Sequence, residues 1–205
     1  EIILWFDSPG QIAPLWCARV MRCPYVLFVN GLPDEELTGL WGWAPIRSLV
    51  QRALRVSAQQ AQAVVSVCRE IPQWMQCEWG IDAARCRVIR NGVNPSTCVS
   101  VDKAAARRRL GLSPDRPYIG FVGGFFPWHG LDTLVEAMVL VRREHPSATL
   151  LLIGDGQTKP ALETLVRQRG LEGAVSFVGR VEFDDVSWWI GASDLCVVLH
   201  RPVRF

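Results

Sequence analysis

Short apolar runs recur along this chain with a helical pattern between them, and that alternation limits the possible folds more than any other feature. The runs fall at residues 2–6, 24–29, 63–67 and 87–89, then at 118–122, 149–153, 175–178 and 195–199. They read as strands joined by crossover helices, which parallel neighbours require because a tight hairpin joins only antiparallel strands. The pattern therefore predicts an α/β chain with parallel sheets. One helix is legible in detail: Leu131, Leu134, Val135, Met138 and Val141 recur at helical spacing. Asp132 near its start and Arg142 and Arg143 at its end suit the two ends of the helix dipole.

A cluster of turn formers, Asn91-Gly-Val-Asn-Pro-Ser-Thr-Cys98, interrupts the alternation, and the strong helix former Lys103-Ala-Ala-Ala-Arg-Arg-Arg-Leu110 follows it. This places a boundary between two domains, 1–95 and 96–205. With 205 residues, 49% hydrophobic and 20% charged, the chain can fill such cores. Neither half carries a solenoid-length repeat or low-complexity sequence.

A net charge of +2 is too mild for nucleic acid, whose binding surfaces are strongly basic. Seven cysteines with no C-x-x-C pair read as scattered thiols in a reducing compartment, not a disulfide framework or a zinc site. No apolar run approaches the roughly 18 residues of a membrane span. Glu1-Ile-Ile-Leu-Trp-Phe6 enters directly into a buried strand without an initiator Met or a signal-peptide pattern, and it reads as the interior of a longer protein.

Two strands end in glycine turns. Ile119-Gly-Phe-Val-Gly-Gly124 runs towards His129-Gly130 and a long helix, and Leu151-Leu-Ile-Gly-Asp-Gly156 precedes another. Glycines let backbone amides approach a ligand, and the unpaired amides of a helix start attract phosphate. In an open α/β sheet both turns would face the crevice beyond the strand ends. Ordinary strand-to-helix turns also use glycine, so each turn alone carries a structural reading as well. Lys159 stands where a G-x-G-x-x-G fingerprint would place its third glycine, and no P-loop pattern occurs.

Four segments, in order, carry a resemblance: Val88-Ile-Arg-Asn-Gly-Val-Asn94, the stretch from Phe121-Val-Gly-Gly-Phe-Phe-Pro-Trp-His-Gly130 to Met138, Leu152-Ile-Gly-Asp-Gly156, and Val175-Ser-Phe-Val-Gly-Arg180. Together they resemble family 4 glycosyltransferases of the group-1 type, in a branch with a Trp-His-Gly form. The resemblance implies two Rossmann-like domains of the GT-B architecture, here with the N-terminal domain incomplete and the C-terminal one truncated. It implies transfer of a hexosyl group from a nucleotide diphosphate sugar to a glycan or lipid-linked acceptor, retaining and independent of metal, with no cofactor beyond the donor.

Carried over residue by residue, it places Gly123, Gly124, His129 and Gly130 at the donor diphosphate, and Gly154 and Gly156 near the nucleotide. Arg180 and Val181 fall beside the base. Asn30 and Gly31 fall on the acceptor side of the cleft, where many relatives have a histidine; an amide can hydrogen-bond a sugar hydroxyl but cannot act as a general base. Many relatives also carry Arg and Lys where this chain has Gly124 and His129. His129 could supply a donor or a charge, or simply be a helix-start histidine bonded to backbone. The E-x7-E pair of the family is absent after Leu195, so catalytic residues are not assignable and residues 1–205 alone are expected to be inactive.

The stretch 37–69 has no acidic residue, and within 40–55 Trp43, Ile46, Leu49, Val50, Ala53 and Leu54 can share a face opposite Arg47, Arg52 and Arg55. Such a helix can lie on anionic lipid or pack against a core with its arginines solvated. The implied location is cytoplasmic, with peripheral contact at the inner membrane face through 40–55 as one option. Trp188 and Trp189 read as packing residues rather than sugar-stacking ones. A non-catalytic nucleotide-binding or interaction module is the alternative to a transferase. A GT-B epimerase or phosphorylase fits the four segments less well.

Overall fold

The computed structural model describes residues 2–6, 13–31, 44–95 and 98–201. The chain divides into two compact units, Glu1–Gly92 and Val93–Phe205.

In the first unit β1 (Ile3–Phe6), β2 (Tyr25–Val29), β3 (Ala63–Ser66) and β4 (Cys86–Val88) form a sheet in chain order, with every neighbouring pair parallel. The crossovers carry α1 (Ala13–Met21), α2 (Ala44–Gln60) and α3 (Glu70–Trp79). Tyr25, Leu27 and Val29 of β2 meet Leu54 and Ala58 of α2 and Ile71, Met75 and Trp79 of α3 in one core. Each large side chain buried there contributes about 1.5–3 kcal/mol. The buried stripe of α2 is Leu54, Ser57 and Ala58, with Val50 packed beside it. Leu49, expected on the apolar face, is 68% exposed because it lies about 100° around the helix from Val50. Arg52 and Arg55 are exposed. Trp43 lies outside the described residues, as do the side chains of Ile46 and Arg47.

The second unit contains β5 (Tyr118–Val122), β6 (Thr149–Ile153), β7 (Val175–Gly179) and β8 (Leu195–Cys196), all parallel, in the order β7-β6-β5-β8. Its helices are α4 (Lys103–Leu110), α5 (Leu131–Glu144), α6 (Lys159–Gln168) and α7 (Phe183–Ala192). Every residue of β6 is buried. Leu150 and Leu152 share a core with Leu131, Leu134, Val135 and Met138 of α5 and Leu162 and Val166 of α6. Leu151 and Ile153 form a second cluster with Tyr118 that Trp189 of α7 packs against. The unit is thus a sheet covered on both faces, as an all-parallel sheet requires.

Trp188 is occupied by Arg109, whose guanidinium lies 4.4 Å from its ring centroid and whose charge is paired with Asp185 at 2.9 Å. Asp102 caps α4 by accepting from the Ala105 amide at 2.9 Å. Arg107 is buried; it donates to the carbonyl oxygens of Ala192 and Pro114 and to Asp194, tying α4 to the end of α7.

Strand β8 is shorter than the apolar run 195–199. Only Leu195 and Cys196 pair with β5, opposite Ile119 and Gly120, and the Val197 amide adds one bond to Gly120 O. The chain then turns towards α5, where the Arg201 amide donates to Trp128 O at 2.8 Å. The chain order moves outward from β5 to β7 and then returns to the other side of β5 at β8. That reversal puts a crevice between the carboxyl ends of β5 and β8.

Candidate functional site

The turns after β5 and β6 are locked together by backbone bonds. The Gly123 amide donates to Ile153 O at 3.0 Å, Phe125 to Asp155 O at 2.9 Å and Gly154 to Gly179 O at 2.8 Å. Thr158 donates to Phe125 O from its amide at 3.1 Å and from its hydroxyl at 2.9 Å. Phe125, fully buried, places its ring between Phe121 and Phe177, with centroids 6.3 and 6.4 Å away. The glycines permit this close approach: a Cβ on Gly156 would stand 2.6 Å from Phe125 O. Gly154 has φ +133, a conformation that side chains rarely adopt.

This changes which backbone groups are available. The amides of Gly123 and Gly154 are spent within the sheet crown, and that of Gly156 donates to the Asp155 carboxylate at 2.8 Å. Among the described residues the amides of Gly124, Leu131 and Asp132 have no acceptor. The last two open α5, after Gly130 reverses the chain with φ 58. Unpaired amides therefore gather beside β5, at its reversal with β8, while those of Asp155 and Gln157 in the β6 turn are likewise without an acceptor.

His129 stands at this point, with Phe121, Phe126, Trp128 and His200 around it at centroid distances of 5.7 to 6.0 Å. Its Nδ1 lies 2.6 Å from the Gly124 carbonyl oxygen. A carbonyl only accepts, so Nδ1 carries the proton and Nε2 is the nitrogen left for a ligand. In the neutral ring Nε2 offers a lone pair; only the imidazolium donates there. Phe126 and Trp128 stack at 4.7 Å and 10°. A Cβ on Gly124 would fall 2.3 Å from the Phe126 ring, so that ring covers the glycine.

Gly123, Gly124, His129, Gly130, Gly154 and Gly156 thus come together. Arg180 and Val181 follow β7, on the same edge of the sheet but two strands from β5. Arg180 is exposed, whereas Val181 packs on the Tyr118, Leu151 and Ile153 cluster. Asn30, exposed, and Gly31 follow β2 in the other unit. Sequence reasoning did not single out Thr158, which clamps the Phe125 turn, or Arg201, which pairs with Asp132 in the first turn of α5. The one available signal for Arg201 was its place just beyond the strand that reverses the sheet order.

Residues 2–97 match the family model described as Glycosyltransferase Family 4, and residues 116–204 match the one described as Glycosyl transferases group 1. An uncharacterized glycosyltransferase of Methanocaldococcus jannaschii is 25% identical over 184 residues, covering 88% of this chain and 46% of its own length. A GDP-mannose-dependent monoacylated alpha-(1-6)-phosphatidylinositol monomannoside mannosyltransferase of Corynebacterium glutamicum is 33% identical over 100 residues, covering 49% of this chain and 26% of its own. Sucrose-phosphate synthase of Thermosynechococcus elongatus superposes with TM-score 0.76 at 23% identity, covering 96% of this chain and 49% of that one. HepE of Anabaena, solved in complex with UDP-glucose, superposes with TM-score 0.76 at 20% identity, covering 96% and 53%. The chain spans about half the length of the first two structures and less than half of the two sequence relatives. The structural likenesses show the fold alone, the Rossmann-like α/β architecture of GT-B glycosyltransferases.

Proposed function

Because this chain belongs to the group 1, family 4 glycosyltransferases, we propose that it forms part of an enzyme that transfers a hexosyl group from a nucleotide diphosphate sugar to a glycan or lipid-linked acceptor. One observation carries the reading. Backbone bonds between the two glycine turns leave the Gly124, Leu131 and Asp132 amides and His129 Nε2 gathered where the sheet order reverses.

When the bond between the anomeric carbon and the diphosphate breaks, negative charge grows on the leaving phosphate oxygens, and fixed donors aimed there stabilise it. The unpaired amides are such donors, held in place by the backbone bonds of the crown. The His129 imidazolium adds a charged donor through Nε2. The acceptor oxygen bonds to the anomeric carbon, with retention of configuration in this reading, as its hydroxyl proton passes to the departing diphosphate oxygen, with no metal required. Arg180 and Val181 lie on the base side and Asn30 and Gly31 on the acceptor side. The C. glutamicum relative is named for GDP-mannose and the Anabaena structure holds UDP-glucose, so both nucleotides belong in the test.

Calorimetric titration with UDP, GDP and their glucose and mannose conjugates tests the reading. Saturable binding that an excess of inorganic pyrophosphate displaces is the expected result; no binding of any of these ligands overturns it.

A further inference from the structure

The donor phosphates need a cation as well as amides, and the cations near the crown differ in reach. Lys159 faces Asp155 at 3.8 Å. Arg180 follows β7, two strands from β5, which at about 4.8 Å per strand puts its backbone roughly 10 Å from the turn that ends β5. His129 reaches a ligand only through Nε2, with Nδ1 bonded to Gly124 O, and is a cation only when its ring is protonated. Arg201 is different. Its amide is fixed to Trp128 O, and its side chain passes over the buried Gly130, with Cγ 3.3 Å from where a Cβ on that glycine would project. Its guanidinium then meets the Asp132 carboxylate, and both side chains are 49% exposed.

We propose that Arg201 is a diphosphate-binding residue and that Asp132 holds its guanidinium in the ligand-free state. This rests on the donor reading above. The carboxylate lies in the first turn of α5, whose opening amides have no acceptor, so the guanidinium it holds stands at a helix start suited to a phosphate oxygen. An exposed ion pair is weakly held. A diphosphate offers the same fork of donors more charge and more acceptor oxygens, and bidentate pairing of guanidinium with phosphate is among the stronger polar contacts. The incoming phosphates displace Asp132 from Arg201 without moving the backbone, which stays tied at Trp128.

The test uses the 205-residue chain, with UDP, GDP and inorganic pyrophosphate titrated separately at two ionic strengths. Arg201→Gln is expected to weaken each by about ten-fold or more, the usual effect of losing one charged hydrogen bond, with a shallower salt dependence and an unchanged melting temperature. Arg201→Lys recovers part of the affinity, and Asp132→Asn binds at least as tightly as wild type. Wild-type affinity in Arg201→Gln, or Asp132→Asn weakened as much as Arg201→Gln, overturns the proposal and leaves the donor reading intact. If the wild-type chain binds none of the three, both fall.

Discussion

A Cβ placed on Gly154 would stand 1.9 Å from the carbonyl oxygen of Gly123, so the turns ending β5 and β6 are in backbone contact. The contact exists because both strands stop in step, with Val122 opposite Ile153 in the ladder. Gly154→Ala must either push the turns apart or force alanine into a φ near +133, and it is expected to cost more than about 3 kcal/mol. For a unit of this size that lowers the melting temperature by roughly 10 °C or more. Gly170, with φ +63 and open space around it, is the control, where alanine costs about 1 kcal/mol. Equal melting of the two variants would contradict the interlock.

Arg107 makes a second test, of what holds α4 to the rest of its unit. Removing its side chain strands two carbonyl oxygens and takes one partner from Asp194, which keeps Lys103 and the Tyr118 amide, so Arg107→Ala should cost about 2–3 kcal/mol. Asp194 extends the argument to pH. Burial acts to raise its carboxyl, but hydrogen bonds from Lys103, the Tyr118 amide and Arg107 outweigh burial and hold it below the usual 3.8. A depressed native value means stability present above 3.8 and lost as pH falls through the native value. Asp194→Asn should be less stable at neutral pH and should lose less on acidification. An acid unfolding curve parallel to wild type would refute this.

The strands were legible because a fully covered parallel strand needs a continuous apolar run, and β5, β6 and β7 lie within a residue of their runs. The end of β8 was not, because its apolar residues 197–199 describe hydrophobicity while the ladder depends on the path of the chain, which leaves β5 after Val197 although β5 runs on to Val122. The glycine turns were legible as turns. Their mutual contact was not, since Gly123 and Gly154 are distant in sequence and the crowding is between backbones. Leu49 misled because Val50 and Leu54 alone do not fix which side of a helical stripe its neighbours take. Arg201 reads as a tail residue until its amide is seen on Trp128.

Tyr25 gives the first unit an alkaline signature. It is 4% exposed, its hydroxyl donates to Ser57 O, and burial pushes its pKa from 10.0 up to about 12, against the opposing charges of Arg19 and Arg85. A raised native value means the tyrosine's contribution is whole below pH 10 and is lost as pH rises towards 12. The loss is on the order of 3 kcal/mol. Tyr25→Phe should be less stable at pH 8 and flatter between pH 10 and 12 in denaturant midpoints. An equally steep loss in the variant would assign the alkaline transition to other groups.

His129 links the site to protons. With Nδ1 donating to Gly124 O, a phosphate oxygen at Nε2 meets a lone pair until the ring takes up a proton. The ring shares its surroundings with His200, 6.0 Å away, and with the Arg201 and Asp132 pair at the same helix start. The charged ring donates to a phosphate oxygen where the neutral ring cannot, so UDP or GDP binding should be coupled to uptake of a proton. Calorimetry in buffers of different ionisation enthalpy should show proton uptake on binding. His129→Gln keeps a donor to Gly124 O but cannot charge, so its affinity should be lower and its proton uptake reduced to whatever His200 contributes; adding His200→Gln should remove the remainder. In a completed enzyme His129→Ala should reduce turnover by more than about ten-fold, the lower end of what one charged donor to a leaving group supplies. Undiminished proton uptake in His129→Gln together with wild-type turnover in His129→Ala would leave this histidine only its bond to Gly124, a structural part of the turn.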